Sequence, residues 1–333
     1  MAWYQSFLGN EIMSILLTGA AGFIGCNLSR SLVAQGRRVV GFDNLSLGRL
    51  SNLDGLLGDS LFSFLEVDLC ELDAYRDALK RARACEPITE VWHLVANSDI
   101  PSGVHDSRVD LRDTFMTTVH TLELMKEFEI GVLAFASSSA IYGNHGDSPL
   151  VEDMGPLFPI SNYGAMKLAC EAAISAAIES HLDRAYIFRF PNVIGVPATH
   201  GVILDFIQKL KVTPDNLAVL GDGTQQKNYL HVEDLVDAML YIRNRACDRL
   251  NYFNIGGDDD GVTVRFIAEQ VVDVVSPSAS ITYGQGAKGW IGDVPKFRYC
   301  VDKVRNLGWR PKLGSVEAIC RAVREIAEQE AGK

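Results

Sequence analysis

The chain has 333 residues, of which 47% are hydrophobic, and this supplies enough apolar surface for one large or two modest globular domains. Its formal net charge is -11, from 31 basic and 42 acidic side chains, and no lysine- or arginine-rich run offsets that charge locally. These values argue against a DNA or RNA partner. A small anionic ligand remains compatible with them, because a pocket needs only a few local cations and backbone donors.

The seven cysteines are scattered, without the Cys-x-x-Cys or cysteine-histidine spacing of a metal site. The sequence therefore predicts free thiols in a reducing cytoplasm and no bound metal. No apolar run approaches the roughly 20 residues that span a bilayer, so no membrane partner is expected. Residues 1–12 lack the basic start and small-residue cleavage pattern of a signal peptide, and Met13 is a candidate start.

From Ile15 onward, short apolar runs alternate with longer amphipathic segments. This alternation predicts an α/β fold, a Rossmann-type doubly wound parallel sheet covered by helices. Strands are predicted near residues 15–18, 39–42, 61–66, 91–94, 132–137 and 185–190.

The rhythm becomes less regular after Pro191, and residues 252–255 resemble a strand that returns to the main sheet. The sequence therefore predicts two interleaved domains. The larger covers residues 13–190, with 229–256 returning to it, and a smaller α/β substrate domain is formed by 191–228 and 257–330.

The first predicted strand runs into a turn with three glycines, Gly19, Gly22 and Gly25, where the next helix is predicted to begin. Glycines leave room for a pyrophosphate against the backbone, and the first amides of a helix attract anions. The spacing Gly-x-x-Gly-x-x-Gly differs from the common dinucleotide fingerprint. By itself the turn is moderate evidence for a nucleotide site.

Asp43 follows the second predicted strand, where a carboxylate can bind the ribose hydroxyls of adenosine and repel a 2′-phosphate. With the glycine turn, it predicts that NAD is bound in preference to NADP. The alternative is that Asp43 and Asn44 are ordinary turn-forming residues. The combination of strand, glycine turn and acid favours nucleotide binding.

Further candidates follow the third and fourth strands. Asp68 could bind the adenine amine or simply end a strand as a solvated turn residue, and both interpretations stay open. Leu94, Val95 and Ala96 could pass beside the cofactor, although packing in the core explains them almost as well.

Tyr163 and Lys167 lie four residues apart on a predicted helix, so their side chains share one face. A nearby ammonium and a bound, positively charged nicotinamide would both lower the phenol pKa from its usual value of about 10. We therefore expect Tyr163 to act as a base near neutral pH. Alone, Tyr-x-x-x-Lys is a weak signal, because both residue types are common on helix surfaces.

Further motifs strengthen the weak signal from Tyr163 and Lys167. They occur in order along the chain, at residues 137–143, 163–167, 189–195, 221–234, 254–256, 292–295 and 307–311. With them, residues 15 to about 326 resemble the extended short-chain dehydrogenases/reductases. Within that group the chain is similar to the NAD-dependent nucleotide-sugar epimerases and dehydratases, most of all to the UDP-glucose (UDP-galactose) 4-epimerase branch.

The resemblance implies that Tyr163 removes the proton of a sugar 4-hydroxyl while hydride leaves C4 for NAD, giving a 4-keto sugar. Rotation of that intermediate and return of the hydride to its other face would invert C4. Ser138 matches the residue that holds the reacting oxygen, and Lys167 would bind the nicotinamide ribose. The implied substrate is a UDP-hexose, or its N-acetyl form.

The resemblance also implies two sets of contact residues. The cofactor set is Gly19, Gly22, Phe23, Ile24, Gly25, Asp43, Asn44, Asp68, Leu69, Leu94, Val95, Ala96, Tyr163, Lys167 and Pro191. The substrate set is Ser138, Ser139, Asn192, His200, Lys227 and Trp290. Asn192 could instead be an ordinary turn residue, and His200 a solvated loop residue.

A homodimer is implied as well, paired through helices at 111–128 and 163–180, although their apolar stripes could be internal core.

Departures from the family pattern reduce the number of reactions that the chain is expected to catalyse. Related dehydratases carry an Asp-Glu pair directly after the catalytic serine or threonine, and related uronate decarboxylases carry a glutamate at the second position. Here these positions are Ser139 and Ala140, which supply no carboxylate, so 4-epimerisation is favoured.

Other departures concern the anion-binding residues. Lys227 replaces a diphosphate-binding arginine and loses its bidentate fork. A second arginine is replaced by Trp290 or displaced to Lys288, and Thr114 stands where relatives often have asparagine.

Two alternatives remain open. One is another NAD-dependent nucleotide-sugar epimerase, dehydratase or reductase. The other is a noncatalytic nucleotide-binding relative, because a fold does not guarantee activity. The intact set of Ser138, Tyr163 and Lys167 argues against the second.

Overall fold

The structure is a computed structural model that describes residues 14–146, 148–286 and 298–332. Lys288, Trp290 and the motif at 292–295 lie outside the described residues, as does Met13 with the segment before it. None of the helices in the described ranges combines the length and the apolarity needed to cross a membrane.

The strands of the described chain are β1 (Ser14–Thr18), β2 (Arg38–Asp43), β3 (Phe62–Glu66), β4 (Ile88–His93), β5 (Val132–Ala136), β6 (Pro149–Leu150), β7 (Arg184–Arg189), β8 (Asn192–Ile194), β9 (Asn216–Val219), β10 (Gln226–Lys227), β11 (Tyr229–His231), β12 (Leu250–Asn254), β13 (Val262–Thr263), β14 (Ser280–Tyr283) and β15 (Arg298–Tyr299). The α-helices are α1 (Phe23–Ala34), α2 (Leu72–Cys85), α3 (Ile100–His105), α4 (Ser107–Asp110), α5 (Thr117–Glu127), α6 (Asn162–Ser180), α7 (Val202–Val212), α8 (Val232–Arg245), α9 (Val264–Val275), α10 (Asp302–Leu307) and α11 (Ser315–Ala331). Short 3-10 helices occupy Leu50–Leu53 and Ser139–Ile141.

The main sheet has seven strands in the order β12-β7-β5-β4-β1-β2-β3, and all of its pairings are parallel. The chain moves outward from β1 to β3 and then crosses to β4 on the other side of β1. In open α/β sheets, ligands bind beyond the carboxyl ends of the strands at such a reversal. The predicted fold class is confirmed, and this topology points to the edge of the sheet where β1 and β4 end.

Helices cover both faces of this sheet because the residues of its strands alternate in direction. Ile15 and Leu17 belong to a buried cluster shared with residues of α1 and α8. Leu16, between them, belongs to a second cluster shared with α2, α5 and α6. The sheet is therefore the middle of three layers, and each predicted strand is found within a few residues of its expected position.

The helix predicted to run through residues 111–128 is only partly correct. The chain is helical from Ser107 to Glu127, but Leu111–Met116 is a π-helix between α4 and α5. The wider turn of a π-helix changes which residues face the core. Within it Thr114 is fully buried, and its Oγ1 accepts a 3.0 Å hydrogen bond from the Asn97 amide.

A third buried cluster is built from residues of α7, α9, α11 and the short strands around them. Strands β8 and β11, β9 and β14, and β10 and β13 form separate two-stranded sheets there. The sequence predicts that 191–228 and 257–330 form the smaller domain. The domain boundaries stay a proposal.

Candidate active site

A cavity of about 890 Å³ opens beyond the carboxyl ends of the central strands and reaches into the region of the third cluster. Of the predicted site residues that the structure describes, all except Ser139 line this cavity. The Ser139 amide instead donates to the Phe190 carbonyl, within the 3-10 turn after β5. Residues from distant parts of the chain therefore meet in one space, and their individual roles stay predictions.

The glycine turn allows a very close approach of backbone to backbone. A Cβ atom added to Gly25 would lie 1.9 Å from the Gly19 carbonyl oxygen, and Gly19 has a φ of +74°. Helix α1 begins after Gly22, and no side chain caps it. Its first amides, at Phe23 and Ile24, have no intrahelical acceptor and belong to residues of the cavity wall. Such amides suit a pyrophosphate.

Asp43 ends β2 beside this turn and is buried. Its carboxylate accepts hydrogen bonds from the amides of Ala21, at 3.0 Å, and Leu45, at 2.8 Å. Burial raises the pKa of Asp43 above its ordinary value, against the lowering effect of these backbone donors. Carboxylate oxygens have further lone pairs, so Asp43 can still accept from ribose hydroxyls.

The neighbouring polar candidates also take part in turns. The Asn44 side chain accepts from both the amide and the hydroxyl of Ser46, so the turn-forming interpretation applies to it. Asp68 accepts from the Cys70 amide at 2.9 Å while it lines the cavity, so both interpretations of Asp68 remain.

The predicted catalytic residues meet where α6 packs against the end of β5. Lys167 is 1% exposed, and its Nζ donates to the Ala136 carbonyl at 2.6 Å. The same Nζ lies 5.9 Å from the centre of the Tyr163 ring. Ser138 follows β5 and lines the cavity with Tyr163, and its side chain lowers the pKa of the Tyr163 phenol.

Among the described groups, the net effect on the Tyr163 pKa is an increase. Desolvation raises the pKa of Tyr163 to about 12, and the charge of Asp110 adds to that increase, while only the Ser138 side chain lowers it. Desolvation also lowers the pKa of Lys167 to about 8. Among the described groups, burial therefore outweighs what lowers the phenol pKa. The expected base near neutral pH also depended on a bound nicotinamide, so that expectation stays a prediction.

The substrate candidates lie farther along the cavity wall. Asn192 is exposed in β8, and Lys227 belongs to the short strand β10. His200 lies in the loop before α7, with its Nδ1 2.9 Å from the Thr199 Oγ1. Trp290 lies outside the described residues.

The sequence analysis missed the loop after β4, where Asn97, Ser98 and Asp99 also line the cavity. Asn97 donates to Asp110 Oδ1 and to the Asp99 carbonyl, both at 2.9 Å. Its position after β4, next to the point where the strand order reverses, was a signal that could have identified this loop.

The cavity wall fits a dinucleotide: it has a glycine turn with no room for side chains, uncapped helix amides and a carboxylate at the end of β2. A family model described as the NAD dependent epimerase/dehydratase family matches residues 15–256. The chain belongs to this family. Its cofactor is NAD.

Individual relatives cover almost the whole chain. A UDP-glucose 4-epimerase of Mycolicibacterium smegmatis is 29% identical over 318 residues, which are 93% of this chain and 97% of the relative. A UDP-glucuronate 4-epimerase of Thermodesulfobacterium geofontis is 25% identical over 316 residues, covering 92% and 94%. The solved structure of a Thermus thermophilus UDP-glucose 4-epimerase in complex with NAD has a TM-score of 0.81 and 27% identity, covering 94% and 99%.

The geometry at β2 predicts that Asp43→Ala weakens NAD binding by about 10- to 100-fold, because a hydrogen bond to a charged group contributes about 1.5–3 kcal/mol. Calorimetric titration of cofactor-depleted protein with NAD would measure this. The control is Asp54→Ala, an exposed aspartate outside the cavity wall. Equal NAD affinity in the Asp43 variant and the control would contradict the assignment of Asp43 to the cofactor.

Proposed function

We propose that the protein catalyses the NAD-dependent 4-epimerisation of a UDP-hexose, UDP-glucose or UDP-galactose or an N-acetyl form. The observation that carries this proposal is the meeting of Ser138, Tyr163 and Lys167 in the same cavity as the glycine turn and Asp43. A phenol, a hydroxyl and an ammonium beside a dinucleotide site are the groups needed to oxidise and reduce one alcohol carbon.

Each of the three residues has a separate task in this reaction. The Lys167 ammonium has three donors, of which one goes to the Ala136 carbonyl, so two are left for the nicotinamide ribose hydroxyls. Ser138 holds the sugar 4-oxygen by hydrogen bonding, and Tyr163 takes the proton from that oxygen and later returns it. NAD, when bound beside these residues, would supply reversible hydride transfer at C4.

The charge of the cavity wall favours a neutral hexose over a uronate. In its described part, the wall has five aspartates: Asp43, Asp68, Asp99, Asp113 and Asp205. The wall also has three lysines, and each has a partner or a proposed role. Lys209 forms an ion pair with Asp205 at 2.7 Å, and Lys167 donates to the Ala136 carbonyl. The family resemblance assigns Lys227 to the diphosphate. Asp43 and Asp68 are assigned to the adenosine, and Asp113 and Asp205 are ion-paired. Asp99 is then the described wall aspartate left to oppose the carboxylate of a uronate.

The direct test is to incubate the protein with UDP-glucose, UDP-galactose, their N-acetyl forms and UDP-glucuronate, each labelled with deuterium at C4. We expect interconversion of a neutral pair, with deuterium retained at C4 because the hydride returns to the same carbon. Separation of the sugars and mass spectrometry measure both. Cofactor binding without turnover of any of these substrates would contradict the proposal and favour a noncatalytic relative.

Tyr163→Phe removes the proposed base while it keeps the ring. We expect kcat to fall by about 100- to 10,000-fold, the usual contribution of general acid-base catalysis, with little change in thermal stability. The matched control is Tyr241→Phe, because Tyr241 does not line the cavity. Among the described groups, its hydroxyl donates only to the Leu307 carbonyl. Full turnover by the Tyr163 variant would show that another group takes the proton.

The homodimer through residues 111–128 and 163–180 stays a prediction, and so does the cytoplasmic location.

A further inference from the structure

The face of α6 that carries Tyr163 and Lys167 continues one turn further to Glu171. Glu171 is buried, and its Oε1 accepts a 2.5 Å hydrogen bond from the Ser137 hydroxyl. Tyr163, Lys167 and Glu171 are spaced four residues apart, so they lie in one row along the helix. The proposed reaction uses Tyr163 and Lys167 and assigns no role to Glu171.

The row meets three consecutive residues at the end of β5. The Ala136 carbonyl accepts from Lys167, and the Ser137 hydroxyl donates to Glu171. Ser138 lines the cavity with Tyr163, and its side chain lowers the pKa of the Tyr163 phenol. Each bond crosses between the strand end and the helix. The middle one of the three strand residues, Ser137, is held by a residue that does not line the cavity.

Glu171 is itself held in place by Arg189 at the end of β7. Arg189 Nε lies 3.1 Å and 3.2 Å from the two carboxylate oxygens, and Nη2 lies 2.7 Å from Oε2. Arg189 Nη1 donates to the Glu152 carbonyl and to the Tyr142 hydroxyl. Because these hydrogen bonds fix the Arg189 guanidinium, its bidentate contact in turn restricts the movement of the Glu171 carboxylate.

Arg189 also precedes another part of the site, since Pro191 and Asn192 follow it by two and three residues. The Glu171–Arg189 pair therefore connects the ends of β5 and β7 to α6. A buried ion pair contributes little to stability compared with well-packed apolar residues, because both charges lose their hydration. Its placement at three site-bearing elements suggests that it fixes geometry.

We propose that Glu171 is a positioning residue, which holds the Ser137 hydroxyl and thereby sets the Ser138 hydroxyl against Tyr163 for proton transfer. This inference rests on the proposed function. Small displacements of catalytic groups are costly, and about 1 Å can reduce the rate by two orders of magnitude.

Ser137→Ala tests the proposal, because it removes the donor to Glu171 and leaves the Glu171–Arg189 pair intact. We expect kcat to fall by about 10- to 100-fold, while KM for the nucleotide sugar changes by less than about 3-fold. Ser137→Thr restores a hydroxyl and is expected to recover most of the lost kcat. The control is Ser29→Ala, which removes another buried hydroxyl, one without a partner among the described residues.

A second measurement does not depend on turnover. In NAD-loaded protein, the tyrosinate absorbance assigned by difference from Tyr163→Phe gives the titration of Tyr163. Ser137→Ala is expected to move that titration to higher pH, because the Ser138 side chain, which lowers the Tyr163 pKa, is displaced. Ser29→Ala is expected to leave it unchanged.

The proposal requires both effects. It is overturned if Ser137→Ala titrates like wild type, if it keeps the wild-type kcat, or if kcat falls only in proportion to a lower thermal midpoint. If wild type turns over no nucleotide sugar, the proposed function fails, and the titration alone then decides whether Glu171 positions Ser138.

Discussion

The proposed chemistry of this protein depends on the desolvation of two side chains, Tyr163 and Lys167, where α6 packs against the end of β5. Burial keeps the phenol protonated, with a pKa of about 12, and lowers the pKa of the lysine to about 8. At neutral pH the protein's own groups thus present an ammonium and a neutral phenol. In the proposed reaction, Tyr163 would act as a base once further positive charge lies beside it, and oxidised NAD, the cofactor of this family, would supply that charge on its nicotinamide.

Some of the buried polar residues around Tyr163 and Lys167 add no further charge to this region. His93, at the end of β4, is close enough to Lys167 for the lysine charge to affect it. Burial lowers the pKa of His93 to about 3, so the ring stays neutral and adds no charge near Lys167. Its ring nitrogens lie 2.9 Å from Thr18 Oγ1 and 3.2 Å from Thr118 Oγ1. Polar groups that are buried and hydrogen-bonded in this way hold their positions without bringing charge to the site.

Much of this architecture could be predicted from the sequence, because its signals are local. Apolar runs gave the strands, the glycine spacing gave the turn before α1, and Asp43 stands where the second run ends. The π-helix at Leu111–Met116 could not be predicted, because helical periodicity does not separate it from an α-helix. The raised pKa of Tyr163 depends on burial by elements that are distant in sequence, so helix spacing alone could not predict it.

The central claim is that NAD, rather than Lys167 alone, makes Tyr163 a base. The most direct measurement is the absorbance titration of tyrosinate in cofactor-depleted and NAD-loaded protein, with Tyr163→Phe subtracted to isolate this residue. The account predicts a Tyr163 pKa of about 12 in the depleted protein and a clearly lower value with NAD bound. Titration of Tyr163 at the same pH in both forms would contradict it.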